Sequence, residues 1–262
     1  MQGRSYKKRT KKNTQKKIYG YIKNIKKQIS SYSLFFAPFC FVFFIIKICI
    51  DFIIYFHIQL FMLMLFLLLP MLYFNPPFTS LMLYRKFVDN QNWQKKIFIP
   101  IKSIPKRTQI HVAGIEDEHF YEHYGIDLKA IKTAYTTNKR LGYKFSGGST
   151  ITQQLTRNLF LVPTKMYIRK YLEVVISLEL DLILSKHRIL ELYLNNIEFG
   201  NGIYGIGRAA IYYYGKPFSK LTNDQINRLI AIIPSPRLYN PKNFYSNKKL
   251  LARYNTLTRW SQ

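Results

Sequence analysis

From Leu34 to Phe74 the chain is built mostly of Phe, Ile, Leu and Met, interrupted by Lys47 and Asp51. Phe52 to Phe74 is a 23-residue run with no formal charge. As a helix this run reaches about 34 Å, enough to cross a hydrocarbon core of roughly 30 Å. It begins too far into the chain, and is too long, for a cleavable signal peptide. The pattern predicts four segments: a basic tail 1–33, a membrane anchor 34–74 crossing at 52–74, a stem 75–107 and a folded domain 108–262. Residues 34–46 are short for a second span. They either extend the helix or lie at the interface; a hairpin would return the downstream domain to the cytoplasm. A single crossing is the preferred reading. The basic tail then stays in the cytoplasm and the domain lies outside.

Beyond residue 75 the patterns are mainly helical. Ile97-Phe98-Ile99-Pro100-Ile101 is the clearest strand candidate. Asp127 can cap a helix to about Asn138, with Leu128, Ile131 and Ala134 on one side. Lys139 to Ser146 reads as a polar loop. Helices are predicted over 149–160, 165–184, 186–196, 208–214 and 223–233. The last starts with a capping box, Thr222 and Gln225, and stops at Pro234. Between residues 165 and 184 apolar side chains crowd every direction, which predicts a helix buried on most sides. The whole is a mostly α-helical domain of about 185 residues, large enough for its own core.

Charge changes the picture less than its size suggests. The formal net charge is +27. Eleven Lys or Arg and no acid fall in residues 1–28, and residues 75–262 hold 28 basic against 12 acidic side chains. Lys, Ile, Asn, Tyr and Phe are all plentiful, as in A+T-rich coding, so part of the charge carries no function. The rest suits anionic lipid heads or pyrophosphates. No nucleic-acid motif or stacking platform accompanies it. The two cysteines, Cys40 and Cys49, lie in the apolar stretch, so the domain has neither an internal disulfide nor a thiolate zinc site.

Two stretches carry candidate chemistry. Glu116-Asp117-Glu118-His119-Phe120-Tyr121-Glu122-His123-Tyr124-Gly125 sets carboxylates and histidines beside aromatic anchors. Glu116 follows Val112, Ala113 and Ile115, so burial should raise its pKa and strengthen it as a base. Asp117 and His123 can position it or order the loop. Glu116, His119 and His123 fall at i, i+3 and i+7 of a helix, without the tighter pairings of zinc signatures. Starting 31 residues after Glu116, Gly147 and Gly148 open a helix whose Thr150, Gln153, Gln154 and Arg157 share one side. Glycines and free N–H groups at a helix start can cradle a phosphate. The same spacing also describes a capped surface helix with a solvated face. Arg169 and Glu173, at i and i+4, read either as a structural ion pair or as two groups facing a cleft.

Taken together these residues resemble glycosyltransferase family 51, the peptidoglycan glycosyltransferases. The likeness covers about residues 108–242. Glu116-Asp117-x-x-Phe120-x-x-His123-x-Gly125 is similar to the family's first motif. Gly147 to Asn158 is similar to the second, with Arg157 in place of the commoner lysine. Arg169-Lys170-x-x-Glu173 is similar to the third. Arg188 to Asn195, running into Phe199-Gly200-Asn201-Gly202, is similar to the fourth. Pro234-Ser235-Pro236-Arg237-x-Tyr239-Asn240-Pro241 is similar to the fifth.

The resemblance implies a lysozyme-like helical domain with a smaller membrane-proximal jaw. It implies polymerisation of lipid II, with Glu116 as general base and Glu173 assisting the departing pyrophosphate directly or through a divalent cation (Mg or Mn). Ser149, Thr150, Gln153, Gln154, Arg157, Asn158, Arg169 and Lys170 would hold the donor and its phosphates. Lys144 is a further candidate, and Asp117, Phe120, His123, Gly147 and Gly148 would support the site. Implied partners are lipid II, the growing glycan strand, membrane lipids and other cell-wall synthesis or division proteins, at a bacterial inner membrane. About 20 residues follow the fifth motif, and no K-T-G accompanies the Ser103 and Ser246 S-x-x-K strings, so no transpeptidase is expected. Two rivals remain: a glycan-cleaving lysozyme-like enzyme, and a non-catalytic cell-wall scaffold.

Overall fold

The structure, a computed structural model, describes residues 3–143, 147–164, 166–243 and 247–260. Contacts divide the chain into two compact units, Met1–Leu60 and Phe61–Gln262. Helix α1 runs unbroken over Gly3–Leu68. It passes Lys47 and Asp51 without a turn, and the two charges pair at 2.7 Å one helical turn apart. The apolar residues on either side of them are therefore assigned to one helix. Phe39–Leu72 is long and apolar enough to cross a membrane.

The second unit is a helical domain. It comprises α2 (Ser80–Phe87), α3 (Lys106–Glu116), α4 (Leu128–Leu141), α5 (Ile151–Phe160), α6 (Tyr167–Ile183) and α7 (Lys186–Asn196). A short antiparallel hairpin follows, β1 (Glu198–Gly200) with β2 (Ile203–Tyr204), and then α8 (Ile206–Tyr214), α9 (Asn223–Ala231) and α10 (Lys248–Arg259). α5 lies at the centre, packed by α2, α6 and α7. Ile151, Leu155 and Leu159 fill that core with Ile189, Leu190, Tyr193, Phe120 and Phe199. Each such fully buried side chain contributes about 1.5–3 kcal/mol. α10 closes the opposite side against α3 and α9, through buried Leu250 and Leu257.

The predicted caps are present. Asp127 accepts the Ala130 N–H at 2.9 Å, and Thr222 with Gln225 forms the reciprocal box. Two expectations are corrected. Ile97–Ile101 is not a strand; it has no strand partner, because side chains of α7 take its backbone groups. The Ile99 N–H donates to Asn195 Oδ1 (2.8 Å), Asn195 Nδ2 donates to the Ile99 carbonyl (2.9 Å), and the Ile101 N–H donates to Glu191 (2.6 Å). The second correction concerns α6, which is not buried on most sides. It buries Glu173, Ile176, Ser177, Glu179 and Leu180, and leaves Tyr167, Ile168, Leu178 and Leu182 exposed. Crowded apolar positions signal withdrawal from water without saying what covers them.

Candidate active site

α3 ends at Glu116, where the chain turns extended at Asp117. Asp117 then joins two elements. Its carboxylate accepts from His123 Nε2 at 2.9–3.0 Å and from the Ile151 N–H at 2.9 Å, an otherwise orphaned donor in the first turn of α5. The start of α5 is thus fastened to the Glu116 turn by a carboxylate at a helix N-terminus, a favourable place for negative charge. Gly125 completes the loop with φ +71, and a Cβ there would come within 2.5 Å of the Ser177 carbonyl. Its N–H donates to Asp181 Oδ2, which also receives Lys186 Nζ at 2.6 Å. Phe120 is fully buried, with the Lys186 ammonium 4.9 Å from its ring centre. Asp117→Asn weakens this junction. We expect it to cost about 1.5–3 kcal/mol, read as a lowered melting temperature.

α5 divides its polar residues between two jobs. Thr150 and Gln153 form a buried capping box, and Thr150 Oγ1 also donates to the Gly125 carbonyl at 2.6 Å. Gln153 is wholly buried and faces the core rather than the cavity. Gln154 and Arg157 line the open groove. Gln154 Nε2 donates to Glu116 Oε2 at 3.2 Å, while its Oε1 accepts from the Tyr193 hydroxyl at 2.9 Å. The Arg157 guanidinium makes no hydrogen bond to another described side chain and is free for a ligand. Gly147 stands in open space, whereas a Cβ on Gly148 would lie 2.8 Å from the Ile131 Cα. Gly148 therefore serves the packing of this loop on α4.

Two cavities meet at Glu116. One, about 590 Å³, is lined by Glu116, Gly147, Ser149, Gln154, Arg157, Pro234, Tyr239, Lys249 and Arg253. The other, about 280 Å³, shares Glu116, Gly147 and Ser149 and extends to His119, Asp127 and Lys129. Asn158 lines a smaller side cavity with Gln154, Arg157 and Arg85. His119 is taken by Asp127 at 2.9 Å. The third-motif residues gather beside Ser149: Lys170 Nζ donates to Ser149 Oγ (3.3 Å) and to Glu173 (2.5 Å), and Arg169 donates to the other Glu173 oxygen (2.7 Å). The buried Glu173 carboxylate is thereby balanced by two cations of the protein. Among the described residues no group of three His, Cys, Asp or Glu side chains is arranged to hold a metal ion. Lys144 lies outside the described residues.

One site residue escaped sequence reasoning. Arg253 of α10 donates from Nη2 to Glu116 Oε1, across 137 positions of sequence. The Asn247 cap and the Leu250–Leu257 spacing mark α10 as a helix. Nothing local separates Arg253 from the other 39 basic residues. The pair bears on the electrostatics of Glu116. Burial raises the Glu116 pKa above the ordinary carboxylate value, and Arg253 and then Gln154 work against that rise. The Tyr193 phenol is pushed well above its usual value by burial, and next by the Glu116 charge.

The transglycosylase family model matches residues 83–260, about two thirds of the chain and every element just described. The chain belongs to the transglycosylase family. It is 40% identical over 168 residues to a biosynthetic peptidoglycan transglycosylase of Shewanella frigidimarina, covering 64% of this chain and 72% of the relative. A protein of the same name from Nitrosospira multiformis is 41% identical over 172 residues, 64% of this chain and 75% of the relative. Penicillin-binding protein 1F of Bacillus subtilis is 43% identical over 143 residues, 55% of this chain but 20% of that longer protein. The family match falls on the domain that carries Glu116 and α5.

Proposed function

We infer that this chain is a peptidoglycan glycosyltransferase that joins lipid II units into glycan, with Glu116 as its general base. The observation that carries this reading is the shared groove: Glu116, Ser149, Gln154 and Arg157 line one cavity, and a second cavity shares Glu116, Gly147 and Ser149 with it. A base that lines two adjoining chambers suits a reaction of two sugars. In the reading proposed, the acceptor's GlcNAc occupies the smaller chamber. Glu116 takes the proton of its 4-hydroxyl as the oxygen bonds to the donor's anomeric carbon. The bond from that carbon to the diphosphate breaks on the opposite face, which inverts the centre. The lipid diphosphate leaves with the electron pair. Arg157, Lys170 and Arg169 supply positive charge where its negative charge develops. Arg169 and Lys170 already engage Glu173; a divalent cation, when bound, would supply further positive charge to the departing diphosphate.

The apolar helix Phe39–Leu72 supports membrane anchorage, with the domain on the outer face where lipid-linked precursors are polymerised. The exposed apolar face of α6, continued by Tyr124, supports a jaw that meets the lipid surface. Membrane lipids and other cell-wall synthesis proteins are the partners this placement suggests.

The full chain in detergent micelles, offered either lipid II or finished glycan, separates synthesis from cleavage. Consumption of lipid II with release of lipid diphosphate is expected; consumption of finished glycan alone overturns the reading. Arg157→Ala should raise the apparent KM for lipid II about tenfold or more, the loss of one charge-assisted contact. The gap between variant and parent should widen at low salt, where the attraction is less screened. An unchanged KM removes Arg157 from the donor site.

A further inference from the structure

We propose that Tyr193 is a positioning residue for the base: its hydroxyl fixes the Gln154 amide so that the NH₂ group, and not the carbonyl, faces Glu116. This rests on the reading of Glu116 as the base. Tyr193 touches neither cavity. It is wholly buried on α7, beneath α5, and its one polar atom reaches Gln154 Oε1 at 2.9 Å. Gln154 Nε2 in turn reaches Glu116 Oε2 at 3.2 Å. Both ends of the amide are therefore engaged, and the amide passes orientation from a core tyrosine to a carboxylate in the groove.

The chemistry of each group allows one productive arrangement. A carboxylate ready to take a proton is acceptor-only, so it needs a donor. A primary amide offers a donor at one end and an acceptor at the other, in nearly the same shape. Flipped, it would turn its carbonyl on Glu116, which is tolerable only if Glu116 carries a proton. Something must decide between the two orientations. The Tyr193 O–H is buried away from water and bonds to Gln154 Oε1, and turning the NH₂ group toward it would leave that O–H without this acceptor, a costly arrangement. Donation demands the amide carbonyl, and the carbonyl can meet Tyr193 only while the NH₂ points to Glu116. Tyr193 thus favours the ionised base without touching it.

Other charged and polar groups surround Glu116. From α10 come Arg253, which is bonded to it, and Lys249 on the same cavity wall; from α5, Gln154 and Arg157; from the turn after α3, Asp117. Arg253 lowers the Glu116 pKa and Asp117 raises it, and neither senses which way the amide points. The orienting role therefore falls to Tyr193.

The test is the pH dependence of kcat/KM for lipid II polymerisation by the full chain, comparing the parent with Tyr193→Phe. Phe keeps the core volume and removes the one donor. Activity needs ionised Glu116, so any rise in its pKa removes activity from the acid side first. We expect a two- to tenfold loss at acid pH, about the worth of one hydrogen bond, closing toward parity at alkaline pH with KM little changed. A purely structural defect would lower the curve equally at every pH, and that result overturns the proposal. Gln154→Met provides the second arm. Tyr193→Phe in that background should add no further pH-dependent loss, because the tyrosine acts only through the amide. A full additional loss there also overturns it. Glu116→Gln, measured alongside, keeps the two readings apart. If that variant is inactive while Tyr193→Phe leaves the profile unmoved, the positioning role fails and the base stands. If Glu116→Gln is active, the base assignment fails first.

Discussion

Glu116→Gln should abolish lipid II polymerisation, with kcat falling about 10²- to 10⁴-fold and apparent KM little changed. That range is what a positioned general base contributes. The substitution is nearly isosteric, and the new amide oxygen can still accept from Arg253, while its NH₂ group loses the bond from Gln154 Nε2. What is lost is the ability to take a proton from the acceptor hydroxyl. In the proposed reading donor binding rests on Arg157, Ser149 and the Lys170–Arg169–Glu173 cluster, none of which is hydrogen-bonded to the Glu116 carboxylate. The expected signature is therefore a loss confined to turnover. A variant that polymerises at the parental rate would remove Glu116 from the chemistry.

The second large effect falls on a residue far away in the chain. Arg253→Met should lower stability and activity together, and the two losses should separate with pH. Glu116 is buried, and Arg253 keeps 24% of its side chain in solvent. Removing one partner of such a pair leaves a carboxylate without its counter-charge, at the low end of the usual cost, about 3 kcal/mol. For a unit of this size that lowers the melting temperature by roughly 6–12 °C. Burial already raises the Glu116 pKa, and loss of Arg253 raises it further. As the proposed base, Glu116 works only when ionised, so the loss of rate should be greatest at acid pH and shrink as pH rises. Combining Glu116→Gln with Arg253→Met should recover much of the lost stability, since no unpaired charge then remains. Losses that simply add would show that the two side chains do not interact.

The parts legible in the sequence were those fixed by neighbours along the chain. Asp127, Thr222 and Gln225 cap the helices they precede because a cap acts over three residues. Glu116 and the Gly147–Asn158 motif were legible, and Glu116 does share a groove with Gly147, Ser149, Gln154 and Arg157. Arg253 was not, because a pairing across 137 residues leaves no local trace. Gln153 and Gln154 looked alike as one polar stripe. Only the fold separates them, one spent on a cap and the other on the base. The apolar side chains of α6 read as core, because the sequence records an aversion to water and not what provides the cover. The Ile97–Ile101 segment met Asn195 and Glu191 in place of a neighbouring strand, and turns into a 3-10 helix at Ile101. Periodicity reports which side chains face inward, and says little about which groups take up the backbone.

One measurement bears on the base more directly than any other: the pH dependence of lipid II polymerisation by the parental chain, set beside the residual activity of Glu116→Gln. The parent should lose activity on the acid side through a single ionisation above the ordinary carboxylate range, since burial raises the Glu116 pKa. The residual activity of the variant should lack that ionisation. An acid limb that persists unchanged in Glu116→Gln would assign the proton to another group and contradict the account.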